Sequence, residues 1–226
     1  MVDTPIARSP IAQAPPVVTV AGWEVSARSS SSPLRLIDCT SCEKILVRAP
    51  HASPWAKRLD IKPGQSRHGE SGHLIAAIAP EQWLFFSDPG VRFSMPDVAA
   101  DDDGKGLPPT VVSVTHANAL MRLVGNDSAK VLSKLCSINF GDMTTPNYSA
   151  LRTSIARIVV SLVRDDLAVA VSAHHDEPAR SYLIMCDRSA GQFLLNVLLD
   201  AGQEFGIDVQ GFACDGVSLT SVGTLS

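Results

Sequence analysis

The sequence contains no apolar run longer than about six residues, Leu74 to Ala79 being the clearest, where a membrane-crossing helix needs roughly 20. It also has no cluster of basic residues: 19 Lys and Arg stand against 23 Asp and Glu, a net charge of −4. Nucleic acid and anionic membrane are therefore poor partners. Met1 is followed by Val2 and Asp3, without the basic start and apolar stretch of a secretory leader, so the expected location is the cytoplasm. Five cysteines, Cys39, Cys42, Cys136, Cys186 and Cys214, are an odd number and make no disulfide framework. Nucleotide-binding and hydrolase signatures of the G-x-G-x-x-G, Walker A and G-x-S-x-G types are all missing.

What is present is an ordinary globular composition, 45% apolar and 19% charged over 226 residues, enough for a core without staples. Five prolines and the run Ser29 to Ser32 fall within residues 1–33, which read as a mobile Pro/Ser-rich arm with Val17 to Trp23 as its docking segment. Residues 34–210 read as one domain, interrupted at about 88–110 by a Pro/Gly/Asp-rich loop insertion, and 211–226 as a C-terminal tail. Strands are expected at Lys44 to Ala49, Leu74 to Ala79 and Trp83 to Phe86, with a polar loop from His51 to His73 between the first two. Further strands are expected at Val111 to Thr115, Ala119 to Val124, Ile155 to Val163, Leu167 to Ser172 and Tyr182 to Asp187.

Two helices punctuate that half. Asn126 is placed as the N-cap of one that runs to about Cys136, with Val131, Leu132, Leu135 and Cys136 on one face. Ser189 to Gln192 has capping-box spacing before an apolar stripe from Phe193 to Phe205, which Gly206 is placed to end. Strand, strand, helix, three strands, helix alternates too little for a doubly wound parallel sheet and predicts an α+β sandwich.

The chemical motifs are fragments. Cys39-Thr-Ser-Cys42 lacks further ligands for zinc and the following helix that would activate a redox thiol, so it reads as buried or edge thiols. Ser41-Cys-Glu-Lys44 matches S-x-x-K without its companion motifs. His68-Gly-Glu70-Ser-Gly-His73 holds three ligand types, but its two glycines oppose the helix that a zincin spacing requires, and it reads as a flexible turn. Asp101 to Gly104 lacks the alternating ligands of an EF-hand, and His174-His-Asp-Glu177 reads as a solvated hairpin tip. Asn126-Asp-Ser128 and Asn147-Tyr-Ser149 fit glycosylation sequons that a cytosolic chain does not use. No acid, base and electrophile set assembles, so no catalytic, cofactor-binding or metal-binding residue is assigned.

The string from Val112-Ser-Val-Thr115-His through Met121-Arg-Leu-Val-Gly125-Asn-Asp-Ser to Val131-Leu132 resembles the "D-x-S-x-x…R-L-x-G-P-D-A…V-L" segment of the gamma subunit of heterotetrameric sarcosine oxidase. Ala79-Pro-Glu-Gln-Trp83-Leu is similar to that family's "G-P-D-E-W-L", and Cys136-Ser-Ile-Asn-Phe140 to its "C-P-x-D-L". Tyr182 to Ser189 and Leu198 to Gly206 continue the likeness in collinear order, so it spans Leu36 to Asp208. Asn126 replaces the usual proline, and Val114-Thr115-His116 the commoner Asp-Val-Ser. The "K-G-C-Y-x-G-Q-E" signature of folate-dependent iron–sulfur maintenance proteins is absent after Lys134.

The resemblance implies the folate-binding fold of the glycine-cleavage aminomethyltransferase: duplicated and swapped β2-α-β3-α subdomains, the first degenerate here. It implies a complex that oxidises sarcosine to glycine, passes the one-carbon unit to tetrahydrofolate and makes hydrogen peroxide. FAD, FMN, NAD and tetrahydrofolate would sit in other subunits, with alpha, beta and delta subunits as partners and this chain as a non-catalytic assembly element. Two alternatives remain. One is a free-standing aminomethyltransferase-like folate binder, for which Asp142, Asp165 and Asp166 are the candidate pterin acids, although all three look like turn residues. The other is the equivalent subunit of a different N-methyl amino acid dehydrogenase.

Overall fold

The structure is a computed structural model, described for residues 5–69, 72–91, 108–167, 178–214 and 219. A small sheet comes first, from β1 (Ala7–Arg8), β2 (Val17–Val20) and β3 (Trp23–Ser26), in the order β1-β3-β2. Next in the chain come β4 (Arg35–Asp38), β5 (Glu43–Arg48), α1 (Pro54–Leu59), β6 (Ser66–His68), β7 (Leu74–Ala79) and β8 (Gln82–Ser87). The second half holds β9 (Thr110–Ser113), β10 (Asn118–Val124), α2 (Ser128–Leu135), β11 (Ala150–Ile155) and β12 (Ile158–Arg164). It closes with β13 (Ser181–Asp187), α3 (Gly191–Gly202) and β14 (Asp208–Gln210).

Two larger sheets carry the body. One has six strands in the order β11-β12-β13-β10-β4-β14, the other five in the order β6-β7-β8-β5-β9. The halves exchange strands: β4 pairs with β10 and β14 in the sheet of the second half, and β9 pairs with β5 in the sheet of the first. Alternation along β10 explains the layering, because successive side chains leave opposite faces. Ala119, Met121 and Leu123 pack with Leu194, Leu195 and Leu198 of α3 and Val131 and Leu132 of α2. Leu120 and Val124 instead meet Leu74, Leu84 and Phe86 of the other sheet. The far face of that sheet buries Ile75, Trp83 and Phe85 under Trp55, Ala56 and Leu59 of α1. The layers are thus helices, sheet, sheet, helix, which is the α+β sandwich expected.

Several local expectations change. The Pro/Ser-rich arm is not an unpaired segment: its prolines lie outside the strands, and β1, β2 and β3 fold onto the body. Ile11 reaches the helix-side core, Trp23 stacks on His116 at 4.8 Å, and the Arg188 guanidinium donates to the Arg8 carbonyl. The stretch Ile155 to Val163 is a hairpin, not one strand, since Ala156 and Arg157 turn the chain at φ 47° and 69°. The loop from His51 to His73 contains α1, where the Ser53 hydroxyl accepts from the Ala56 amide at 3.2 Å and Pro54 opens the first turn.

At α2 the capping position is Asp127 rather than Asn126, and its carboxylate pairs with Lys130 at 2.7 Å. The capping box at Ser189 is replaced: the Asp187 carboxylate accepts from the Ser189 amide, while the Gln192 side chain accepts from the Ala12 amide. Gly206 does end the α3 region, at φ 68° after a short 3-10 turn. Gly125 is a position only glycine fills, with φ 137° and a Cβ that would meet the Pro33 carbonyl at 2.2 Å. The Asp101 to Gly104 and His174 to Glu177 stretches lie outside the described residues, as does most of Leu167 to Ser172.

Candidate functional site

Where the two larger sheets face each other, the seam between them changes character along β10, β12 and β13. At one end lies a charged latch. Arg122 of β10 is fully buried, with Nη2 donating to Asp165 Oδ2 at 2.8 Å and Nη1 to the Ser181 hydroxyl at 3.2 Å. On the other sheet, His68 of β6 places Nε2 2.7 Å from Asp165 Oδ1 and Nδ1 3.3 Å from the Gly72 carbonyl. Both neighbours of the ring are acceptors, so the doubly protonated imidazolium satisfies them best. The hydrogen bond to Asp165 accordingly raises the His68 pKa against the opposing effect of burial. Burial pushes the Asp165 carboxyl up, but the His68 hydrogen bond and the Arg122 charge outweigh it and hold the group below its ordinary value.

A second network sits beside the latch. Arg164 donates to both oxygens of Asp166 at 2.7–3.1 Å and to Asp142 Oδ1 at 2.5 Å, and Arg180 reaches the same Asp142 oxygen at 2.6 Å. Burial works against the Arg164 charge, yet the bonds to Asp166 and Asp142 raise its pKa. Asp166 also accepts from the Ser181 amide. Asp165 and Asp166 are therefore anchors of charge networks, where the sequence reading had turn residues. His68 likewise lies on a strand instead of in a flexible turn, while its neighbour Glu70 falls outside the described residues.

The other end of the seam is an open cleft of about 300 Å³. Its floor is apolar, with Leu46, Ile78, Leu84 and Met185, and its polar groups are Gln82, Asn118, Ser161, Asp187, Arg48 and Arg152. Arg48 shares a strand face with Leu46, and Arg152 one with Ala150, so both emerge on the side of the seam. Asp187 is already committed, accepting from the amide and hydroxyl of Ser189 at 2.9 and 2.5 Å, which holds its carboxyl below the ordinary value. None of Asp142, Asp165 and Asp166 lines the cleft.

The cysteine and lysine motifs do not line the cleft. Cys39, Cys42 and Lys44 are all fully buried. Lys44 Nζ donates to the Thr40 and Cys42 carbonyls at 2.7 and 2.8 Å, and burial lowers its pKa to about 8. The Ser41 hydroxyl is buried without a hydrogen-bond partner, so Ser41 and Lys44 do not form a nucleophile and base pair. Burial raises the Cys42 thiol well above its ordinary range, the condition of an unreactive sulfur. Among the described residues no group of three or more His, Cys, Asp or Glu side chains converges as a metal site.

Solved structures supply the context for this architecture. A chain of the heterotetrameric sarcosine oxidase from Corynebacterium sp. U-96, solved in complex with pyrrole 2-carboxylate, superimposes with a TM-score of 0.60 at 19% identity. The match covers 78% of this chain and 87% of that one. The glycine cleavage system aminomethyltransferase T from Bartonella henselae superimposes with a TM-score of 0.61 at 16% identity, over 87% of this chain and 56% of that one. The fold is of the aminomethyltransferase type. This chain spans a little over half the length of the aminomethyltransferase but nearly all of the sarcosine oxidase chain. No family model and no curated protein sequence matches it. Within this aminomethyltransferase-type fold, the latch was missed in the sequence because its members are 43 and 97 positions apart and make no local pattern. The one available signal was Arg122, a charge in the middle of the apolar strand Ala119 to Val124. No helix among the described residues is long and apolar enough to cross a membrane.

Proposed function

We propose that this chain is the gamma-type accessory subunit of a sarcosine oxidase-like complex, supporting assembly without performing chemistry itself. The observation that carries the reading is the match over 87% of the length of a chain from a heterotetrameric sarcosine oxidase. Because that overlay uses only 78% of this chain, the matching chain is the shorter of the two. It is thus a small subunit rather than a large flavin-bearing one. The acids of the chain agree, since Asp187, the carboxylate of the cleft, is exposed and hydrogen-bonded to Ser189. A pterin ring presents amide and amino edges that need a buried carboxylate, and the three candidates are tied to arginines elsewhere.

On this reading the two halves are duplicated β2-α-β3-α units that have exchanged their first strands, and the first unit has kept only the short α1. The complex would act in the cytoplasm on sarcosine, yielding glycine and hydrogen peroxide and passing the one-carbon unit to tetrahydrofolate. Its alpha, beta and delta subunits would carry FAD, FMN, NAD and the folate. The test is biochemical. The purified chain alone should release no peroxide from sarcosine, and tagged chain recovered from its native host should bring a stoichiometric flavoprotein, identified by its flavin absorbance. A lone monomer that oxidises sarcosine, or that binds a reduced folate by calorimetry, would overturn the proposal in favour of a free-standing folate protein.

A further inference from the structure

We propose that the open end of the seam is a docking cleft for an acidic, extended segment of a partner subunit, a site that rests on the assembly role proposed above. Arg48 and Arg152 come from opposite sheets and line one cleft. Arg8, Arg28, Arg122, Arg164 and Arg180 each sit in an ion pair. Neither the Arg48 nor the Arg152 side chain has an ion pair or hydrogen bond among the described residues, although the chain as a whole carries a net charge of −4. The carboxylate that lines the cleft, Asp187, accepts from Ser189 through Oδ1 and forms no ion pair with either arginine among the described residues. Two guanidinium forks facing a shared space match carboxylates in geometry as well as charge.

The shape favours a chain segment over a small heterocycle. A small-ligand site encloses most of its ligand, whereas this cleft is open to solvent and Val159 at its rim is 61% exposed. An extended segment with alternating acidic and aliphatic residues would set its carboxylates on Arg48 and Arg152. Its aliphatic side chains would rest on Val159 and on the floor at Leu46 and Met185.

The test uses the full chain and a fluorescein-labelled peptide of alternating Glu and Val or Leu, with the Lys-for-Glu peptide as control. Fluorescence anisotropy should show binding of the acidic peptide alone. The affinity should fall about tenfold in the Arg48→Gln, Arg152→Gln double variant, and fall again as salt rises from about 50 to 300 mM. Unchanged circular dichroism and urea midpoint would show that the variant is folded. Equal binding by the double variant, or no binding of the acidic peptide, overturns the proposal. Displacement of the peptide by a reduced folate reassigns the cleft to a small ligand and overturns it too. A second arm co-expresses the partner subunits with wild-type chain and with the Arg48→Glu, Arg152→Glu variant. Loss of association in the variant is expected. A complex that forms undiminished with the variant sinks this site but leaves the assembly role standing, and failure of the wild-type chain to associate sinks both.

Discussion

Arg122 and Arg152 both face the seam between the sheets, yet the first is fully buried and matched by Asp165, whereas the second is exposed and unmatched. The contrast follows from what each position can reach. A guanidinium sealed from water must be neutralised inside the fold, and the latch does so with one carboxylate shared between Arg122 and His68. A guanidinium at an open rim is solvated at little cost and stays available to something outside the chain. Burial therefore separates charges that serve the fold from charges left for a partner.

The largest way to test that contrast is Asp165→Ala, which strands Arg122 at zero exposure. Urea unfolding should show a loss of about 3–5 kcal/mol, and a loss below about 1 kcal/mol would mean that the latch is not what holds this end of the seam. Lys44 sharpens the comparison, being a buried cation with carbonyls instead of a carboxylate as partners. Its folded pKa is about 8 against 10.5 for the free side chain. The unfolded chain therefore holds a proton that the native chain has lost as pH rises past about 8, and stability should climb there. The raised Cys42 thiol opposes the climb above its ordinary pKa of 9.0, so pH 8 to 9 is the informative window. Across that unit Lys44→Met should lose a rise on the order of 1 kcal/mol, visible as a flattened pH profile of the urea midpoint.

His68 gives a smaller effect of opposite sign. Its folded pKa lies above the ordinary 6.5, so its stabilisation is complete below that value and is lost as pH climbs through the raised folded value. His68→Gln should lose the extra stability on the acid side and so flatten that fall, with the alkaline side little changed, as thermal melts at pH 6 to 8 would reveal. Smallest of all, Arg48→Gln and Arg152→Gln should each shift stability by no more than about 0.5 kcal/mol. A larger loss would mean that these arginines serve the fold after all.

The sandwich class and most elements of the second half were legible because their signals are local. Apolar runs bounded by turn residues marked β7, β8, β10 and β13, and the stripe of Phe193, Leu194, Val197, Leu198, Ala201 and Phe205 marked α3. Legibility stopped where tertiary contacts override composition. Ala156-Arg157 adopts a left-handed hairpin turn without the glycine or asparagine that announces one. Helix α1 has a plain Ser53-Pro54 start but only six residues, too few for a periodic stripe. The prolines of the first 33 residues suggested a mobile arm because composition does not reveal that they fall outside the strands. The latch was out of reach for another reason: His68, Arg122 and Asp165 are neighbours only once two sheets have folded and met.

Because β4 completes the later sheet and β9 the earlier one, each half lends the other a strand it cannot replace from its own sequence. Neither piece, expressed separately, has a finished sheet to fold around, so each should collect as insoluble material. A single proteolytic nick between Val91 and Pro108, by contrast, should leave the two fragments clasped and co-eluting, parted only by denaturant.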